Sequence, residues 1–158
     1  MIGLEIEIVG ADADFDAIHL LLHDAFAYME GRIDPPSSLY RLSPADLADK
    51  AARGACLIAR LGQELVGCVF VEDHRDRLYV GKLAVDPDHQ GQGIGAALMQ
   101  ATEMVAQSLG RPALELETRI ELTENHRAFA ALGFEQIGET AHPGYERATS
   151  ITMRKVLG

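Results

Sequence analysis

The amino-acid sequence predicts an α/β fold: a mixed, mostly antiparallel central sheet of about 6–7 strands, a parallel crossover unit at its middle, and four helices. Three observations predict it. Short runs rich in Val, Ile and Leu recur along the chain, separated by Gly, Pro and Asp turn signals. Four stretches instead carry apolar residues at helical spacing. One of these, at about 93–109, lies between two strand-like runs, and a helix joining two strands of one sheet makes them parallel.

Leu4, Ile6 and Ile8 alternate with Glu5 and Glu7, which predicts a strand over about 4–9 and does not resemble a secretory leader. A helix over about 13–28 follows, with Phe15, Ile18, Leu22, Ala25 and Met29 on one stripe. Gly31, Pro35, Pro36 and two serines mark residues 30–43 as a loop. Ser43 caps a short helix of about 44–53, with Pro44 at its first position and Gly54 at its end. Strands at about 55–61 and 64–72 flank the hairpin signal Gly62-Gln63, and a charged turn from Asp73 to Asp76 leads to a strand at 78–85. The longest helix presents Ile94, Ala97, Leu98, Ala101, Met104, Val105 and Leu109, and stops at Gly110 and Pro112. A strand at about 113–119, a helix at 124–132 closed by Gly133, and strands at 134–141 and 149–156 complete the chain.

With 158 residues and no repeat or linker, residues 1–158 read as a single domain. A formal charge of −10 argues against nucleic acid, whose phosphates need a dense basic face. The same charge suits a cationic substrate or merely reflects an acidic surface. No apolar run approaches the roughly 20 residues of a membrane span. Cys56 and Cys68 lie in separate apolar runs without metal-ligand spacing, as buried thiols in a reducing cytoplasm would. They stand where a hairpin could bring them face to face. The six histidines show no metal-binding spacing either, so no metal is expected.

The most informative segment is Leu83-Ala84-Val85-Asp86-Pro87-Asp88-His89-Gln90-Gly91-Gln92-Gly93-Ile94-Gly95. A strand ends at Val85, and three glycines open a helix. Bare backbone lets an anion touch the free N–H groups of the first helical turn, and the helix dipole adds to the attraction. This predicts a phosphate cradle. A P-loop is excluded because Ala96-Ala97 stands where Lys and Ser or Thr are needed. A dinucleotide fingerprint fits poorly: the glycine spacing is wrong, and the loop follows four strands instead of opening the fold.

The segment resembles the acetyl-CoA-binding motif of the GNAT superfamily of N-acetyltransferases, Q/R-x-x-G-x-G/A, which Gln90, Gly93 and Gly95 match. The preceding Leu-Ala-Val-Asp-Pro, the order of elements and the exit Ala131-Leu132-Gly133-Phe134 are similar to that superfamily too, and closest in pattern to its ribosomal-protein and small-amine acetyltransferases. The resemblance implies a GNAT-type sheet, acetyl-CoA as cosubstrate and an amine acceptor, either a small molecule or a peptide or protein amine. It implies that Leu83, Ala84 and Val85 meet the pantetheine arm, while backbone from Gly91 through Gln92, Gly93, Ile94 and Gly95 to Ala96 holds the pyrophosphate. It places the Val85 amide at the thioester carbonyl, and pairing of the last strands into a homodimer is also implied by resemblance alone.

Attack on a thioester needs an unprotonated amine, hence a base, and the oxyanion that forms needs a donor. Glu117 is the candidate base. In Leu114-Glu115-Leu116-Glu117-Thr118, leucines and glutamates alternate on a strand read as parallel and central, where both faces are ordinarily apolar. Two glutamates on one face therefore indicate a cleft. The other reading of Glu117 is a solvated or salt-bridged carboxylate, with Lys82 as partner. The resemblance places a proton-donating tyrosine where this chain has Phe129, and an asparagine where it has Leu122, with Asn125 nearby. Tyr145 is the candidate replacement acid, or else an ordinary loop tyrosine. His126 is a second proton carrier or an exposed helix-start residue. In the loop that shapes the acceptor pocket in this superfamily, Arg32 could hold a carboxylate and Asp34 an ammonium, or both could simply be solvated. Phe129 leaves an alternative to catalysis: a weakened CoA-binding or sensing module.

Overall fold

The structure, a computed structural model, describes residues 3–158. Its seven strands are β1 (Leu4–Val9), β2 (Ala55–Leu61), β3 (Glu64–Asp73), β4 (Leu78–Val85), β5 (Ala113–Arg119), β6 (Glu135–Thr140) and β7 (Ser150–Val156). Four helices, α1 (Phe15–Phe26), α2 (Pro44–Arg53), α3 (Ile94–Ser108) and α4 (Thr123–Ala131), join them. The sheet order is β1-β2-β3-β4-β5-β7-β6, with β4 and β5 its one parallel pair. Ser43 and Asp46 form a reciprocal capping box on α2, with Pro44 at the first turn. Among the described residues no helix is long and apolar enough to cross a membrane.

The sheet separates two cores. On one face α3 packs Ile94, Leu98 and Met99 against Leu57, Val69, Val80, Leu114 and Leu116. On the other, α1 and α2 pack Ile18, Leu22 and Leu47 against Cys56, Ile58, Cys68 and Phe70. Helix α3 sits close because Gly67 of β3 lacks a side chain: a Cβ there would lie 2.9 Å from Leu98 and 3.1 Å from Ile94.

Three expectations are corrected. Helix α1 ends at Phe26, and Ala27–Met29 form a single tighter turn. On α3, Met104 and Leu109 face solvent, and Thr102 and Ala106 take their place in the buried stripe. The reason is angular: the buried face is turned round the helix from the apolar list. Met104 falls about 80° to one side of Ile94, while Thr102 and Ala106 fall about 80° and about 120° to the other. Leu109 lies past the last helical residue. The cysteines are free and not directly opposed. Cys56 pairs with Phe70 and Cys68 with Ile58, so they are diagonal neighbours in the α1–α2 core.

Candidate active site

Strands β4 and β5 pair over only three residues, Leu78–Val80 with Leu114–Leu116, and then part. A bulge in β4 parts them. Phe70 pairs with Gly81 and Cys68 with Ala84, so β4 carries an extra residue there, and Lys82 adopts the left-handed φ of 51°. A bulge bends its strand, ends pairing and re-aims a side chain. A non-glycine residue held in that conformation costs about 1–2 kcal/mol. The result is a wedge at the centre of the sheet.

The glycine loop closes one end of the wedge. Gly91 and Gly93 have φ of 78° and 83°, conformations that favour glycine. No side chain caps α3, and its first internal bond runs from the Ala97 N–H to the Gly93 carbonyl at 3.0 Å. The amides of Ile94, Gly95 and Ala96 therefore project from the helix end without an acceptor in the helix. Gly95 has no conformational need for glycine, and a Cβ there would make only an ordinary 3.7 Å contact with Val85. Its missing side chain leaves open space above the helix end, which suits a diphosphate. Gln90 reaches back toward the Val85 carbonyl at 3.4 Å.

The Asp86 N–H donates to Val66 of β3 at 2.8 Å. Strand amides alternate sides, so the Val85 N–H faces the gap toward β5. A cavity of about 500 Å3 fills that gap, lined by Leu83, Val85, Gly95 and Ala96 at one end and by Glu117, Tyr28 and Phe129 further along. Of the expected cofactor residues, Leu83, Val85, Gly95 and Ala96 meet there. Ala84 and Ile94 turn their side chains into the cores, leaving backbone to serve a ligand, and Gln90 to Gly93 form the turn beyond.

A second cavity of about 500 Å3 opens beside the loop between α1 and α2, lined by Tyr79, Lys82, Glu117, Arg119, His142 and Tyr145 among others. The two cavities share Gly81, Lys82, Glu117 and Arg119. Glu117 thus stands where they meet, exposed and with no ion pair to Lys82. Glu115, expected to share an open face with it, is buried. Arg77 Nε donates to it at 2.9 Å and Arg154 Nη2 at 2.7 Å.

The Tyr145 hydroxyl donates to Asp34 Oδ1 at 2.6 Å, which raises its pKa, and it lines the second cavity only. Arg32 binds both oxygens of Glu124 at 2.8 Å, and His126 Nε2 lies 2.9 Å from the Arg119 carbonyl. Arg32, Tyr145 and Asp34 thereby tie the α1–α2 loop, the start of α4 and the β6–β7 loop together, while His126 ties α4 to the end of β5. Phe129 lines the first cavity and packs edge-on against Phe134, 5.9 Å between centroids.

Sequence reasoning missed Tyr28 and read Lys82 only as a partner for Glu117. Asn125, one turn before Phe129, donates to the Tyr28 hydroxyl at 3.1 Å, so that hydroxyl lies in the cavity Phe129 lines. No sequence signal pairs positions so far apart. Lys82 did leave one: a lone cation inside Leu78-Tyr79-Val80-Gly81-Lys82-Leu83-Ala84-Val85. Its pKa is lowered, by burial first and then by the cation of Lys50.

Glu64, Asp86 and His89 gather near the glycine loop. The carboxylates approach opposite ring nitrogens, Asp86 at Nδ1 and Glu64 at Nε2, each at 3.6 Å. Neither approach is a hydrogen bond, His89 Nδ1 is buried without a hydrogen-bond partner, and one ligand atom from each of the three residues lies within 4.8 Å of the others.

The family model described as acetyltransferase (GNAT) family matches residues 16–134. The chain belongs to that family. Its seven-stranded sheet with one parallel pair and four helices is the GNAT fold. Among solved structures, it is similar to the PaiA N-acetyltransferase of Thermoplasma acidophilum in complex with coenzyme A: TM-score 0.82, 14% identity, 98% of this chain and 99% of that one covered. The ribosomal-protein-S18-alanine N-acetyltransferase of Escherichia coli gives a TM-score of 0.73 at 20% identity over 97% and 93% of the two chains. A GNAT family acetyltransferase from Elizabethkingia anophelis with acetyl-CoA bound gives 0.71 at 19%, over 99% and 100%. A sequence search of curated proteins finds no match.

Proposed function

We propose that this protein transfers an acetyl group from acetyl-CoA to a primary amine by direct attack in a ternary complex. The observation that carries this reading is the meeting of two cavities at Glu117, one of them running to an uncapped helix end. Structural neighbours with coenzyme A or acetyl-CoA bound support the choice of cosubstrate.

Acetyl-CoA supplies the acyl group as a thioester. The amides at the start of α3 bind its diphosphate, and the parted edges of β4 and β5 take its pantetheine arm. Glu117 accepts a proton from the incoming ammonium, and the freed amine forms a C–N bond to the carbonyl carbon. The Val85 N–H donates to the developing oxyanion. As the C–S bond breaks, the thiolate leaves with a proton. Tyr28 is the better supported donor for that proton, since its hydroxyl accepts from Asn125 and keeps its own hydrogen free. Tyr145, whose hydrogen is committed to Asp34, is assigned to the acceptor side. A covalent relay through cysteine is unsupported: burial pushes the Cys56 thiol up to about 12 and Cys68 well above its usual value, and neither lines a cavity.

Glu117→Gln tests the assignment. With acetyl-CoA binding preserved by calorimetry, kcat is expected to fall about 10²–10⁴-fold; unchanged turnover of a true acceptor across pH would remove Glu117 as base. Tyr28→Phe should lower kcat, and Tyr145→Phe should act mainly on the acceptor KM. Phe129 also motivates a second reading, a CoA-binding module without turnover. Binding of acetyl-CoA with no thiol released by any amine would favour that one.

A further inference from the structure

The cavity beyond Glu117 carries charge opposite to that of the molecule. Arg41, Lys50, Lys82 and Arg119 line it, in a chain with a formal charge of −10. Of the chain's 14 Lys and Arg, Arg32, Arg60, Arg77, Arg111, Arg147, Arg154 and Lys155 form ion pairs with carboxylates among the described residues. All four cavity cations belong to the remaining half. None of the four has a carboxylate at ion-pair distance among the described residues.

Nearby acids offset part of this charge: Glu121 and Asp34 act on Arg119, although neither lines the cavity. Glu72 and Glu117 are the acids on the cavity wall, and Glu72 lies 3.5 Å from His74 Nε2. His142 also lines the wall, and its pKa is lowered, by burial first and then by Arg119, so it stays uncharged at neutral pH. Arg119 is fixed in place: its Nη1 donates to the Pro35 carbonyl at 2.7 Å and its Nη2 to that of Pro36 at 3.2 Å. The pKa of Lys82 is lowered, by burial first and then by the nearby Lys50 cation. Four cations around one concavity focus a positive potential that an anionic ligand relieves.

We infer that the acceptor is an amine that also carries an oxyanion, a carboxylate or a phosphate, held by Arg41 and Lys50 while its nitrogen reaches Glu117. This assignment rests on the transfer reading above and sharpens it. Arg41 and Lys50 line the second cavity only, so they are separate from the cosubstrate's space, whereas Lys82 and Arg119 border both. Polyamines, which the net negative charge of the chain attracts at long range, are poor candidates: a second ammonium would have to enter among four like charges.

The test is CoA-thiol release at saturating acetyl-CoA over matched pairs of amines. Amino acids are set beside their amides, and O-phosphoethanolamine beside ethanolamine, so the two arms separate carboxylate from phosphate. The anionic member of at least one pair is expected to have the higher kcat/KM by tenfold or more. In the Arg41→Met/Lys50→Met double variant that gap should close by at least tenfold, with acetyl-CoA affinity unchanged. Neutral members equal to or better than anionic ones, or a gap that survives the double substitution, would overturn the inference and leave the transfer reading standing. A second measurement needs no turnover: calorimetric titration of N-acetyl amino acids and N-acetyl-O-phosphoethanolamine into the protein saturated with CoA. Binding weakened tenfold by the double variant, with no amine acetylated, would support the anion site while overturning the transfer reading. No binding and no preference would overturn the site.

Discussion

Glu115 and Glu117 stand two residues apart on one strand and point to the same face, yet they occupy different physical worlds. Glu115 lies where β4 and β5 are still paired, opposite Tyr79, and two arginines close over it. Glu117 lies one residue beyond the last pair, where the bulge at Lys82 has turned β4 away, and it faces two cavities. The same side chain is thus a structural ion-pair partner at the closed end of the wedge and a free carboxylate at its open end. What separates them is backbone geometry, set by a bulge on the neighbouring strand.

Glutamine substitutions test that contrast most directly. Glu117→Gln is expected to have the largest effect, the loss of about 10²–10⁴ in kcat, with stability within about 0.5 kcal/mol of the parent because no partner is orphaned. Glu115→Gln should do the reverse. It leaves Arg77 and Arg154 without their shared carboxylate, and removing one partner from a buried pair costs about 3–5 kcal/mol. Both arginines keep some solvent contact, so about 2 kcal/mol in urea denaturation is the expected loss, with acetyl-CoA affinity retained. Equal effects of the two variants on turnover would erase the distinction between the ends of the wedge.

The parts of this contrast that were legible in the sequence are the ones written in local code. The glycine loop, the capped α2 and the crossover through α3 all announce themselves within a few residues, because turn chemistry and periodicity act over that range. Glu117 was legible as a polar intrusion in an apolar strand, but so was Glu115, and nothing local told them apart. Arg154 reaches Glu115 from 39 residues away and Tyr28 meets Asn125 across 97, so only the folded chain makes those pairs. The bulge was hidden as well: Gly81-Lys82 reads as ordinary strand, and its irregular register appears only when β3 is laid beside it. The cation-lined cavity was the least legible feature, since its four charges come from four separate segments of an acidic chain.

Gly95→Leu sharpens the comparison from the cosubstrate end. Leucine is a better helix former than glycine by somewhat less than about 1 kcal/mol, and its Cβ would make only an ordinary contact, so α3 should gain modest stability. The branched side chain would fill the space above the helix end. Acetyl-CoA affinity is expected to fall at least tenfold, about 1.4 kcal/mol, by calorimetry. A folded variant that keeps full affinity would show that the helix end is not where the diphosphate rests.

Lys82→Gly probes the bulge itself. Glycine relieves the strain of φ 51°, worth about 1–2 kcal/mol, but adds about 0.5–1 kcal/mol of backbone entropy to the unfolded chain. It also removes the burden of a half-buried cation whose pKa is already pushed down. That burden has a definite pH sign. The folded pKa is lowered, so between it and the unfolded value the unfolded chain binds the extra proton, and parent stability rises with pH across that window. The variant should lose this rise, while near neutral pH it gains about 1 kcal/mol in urea denaturation. Its kcat/KM toward anionic amines should drop more than its kcat/KM toward neutral ones. A variant both less stable and equally selective would mean that the bulge is held by packing alone and that Lys82 has no part in choosing the acceptor.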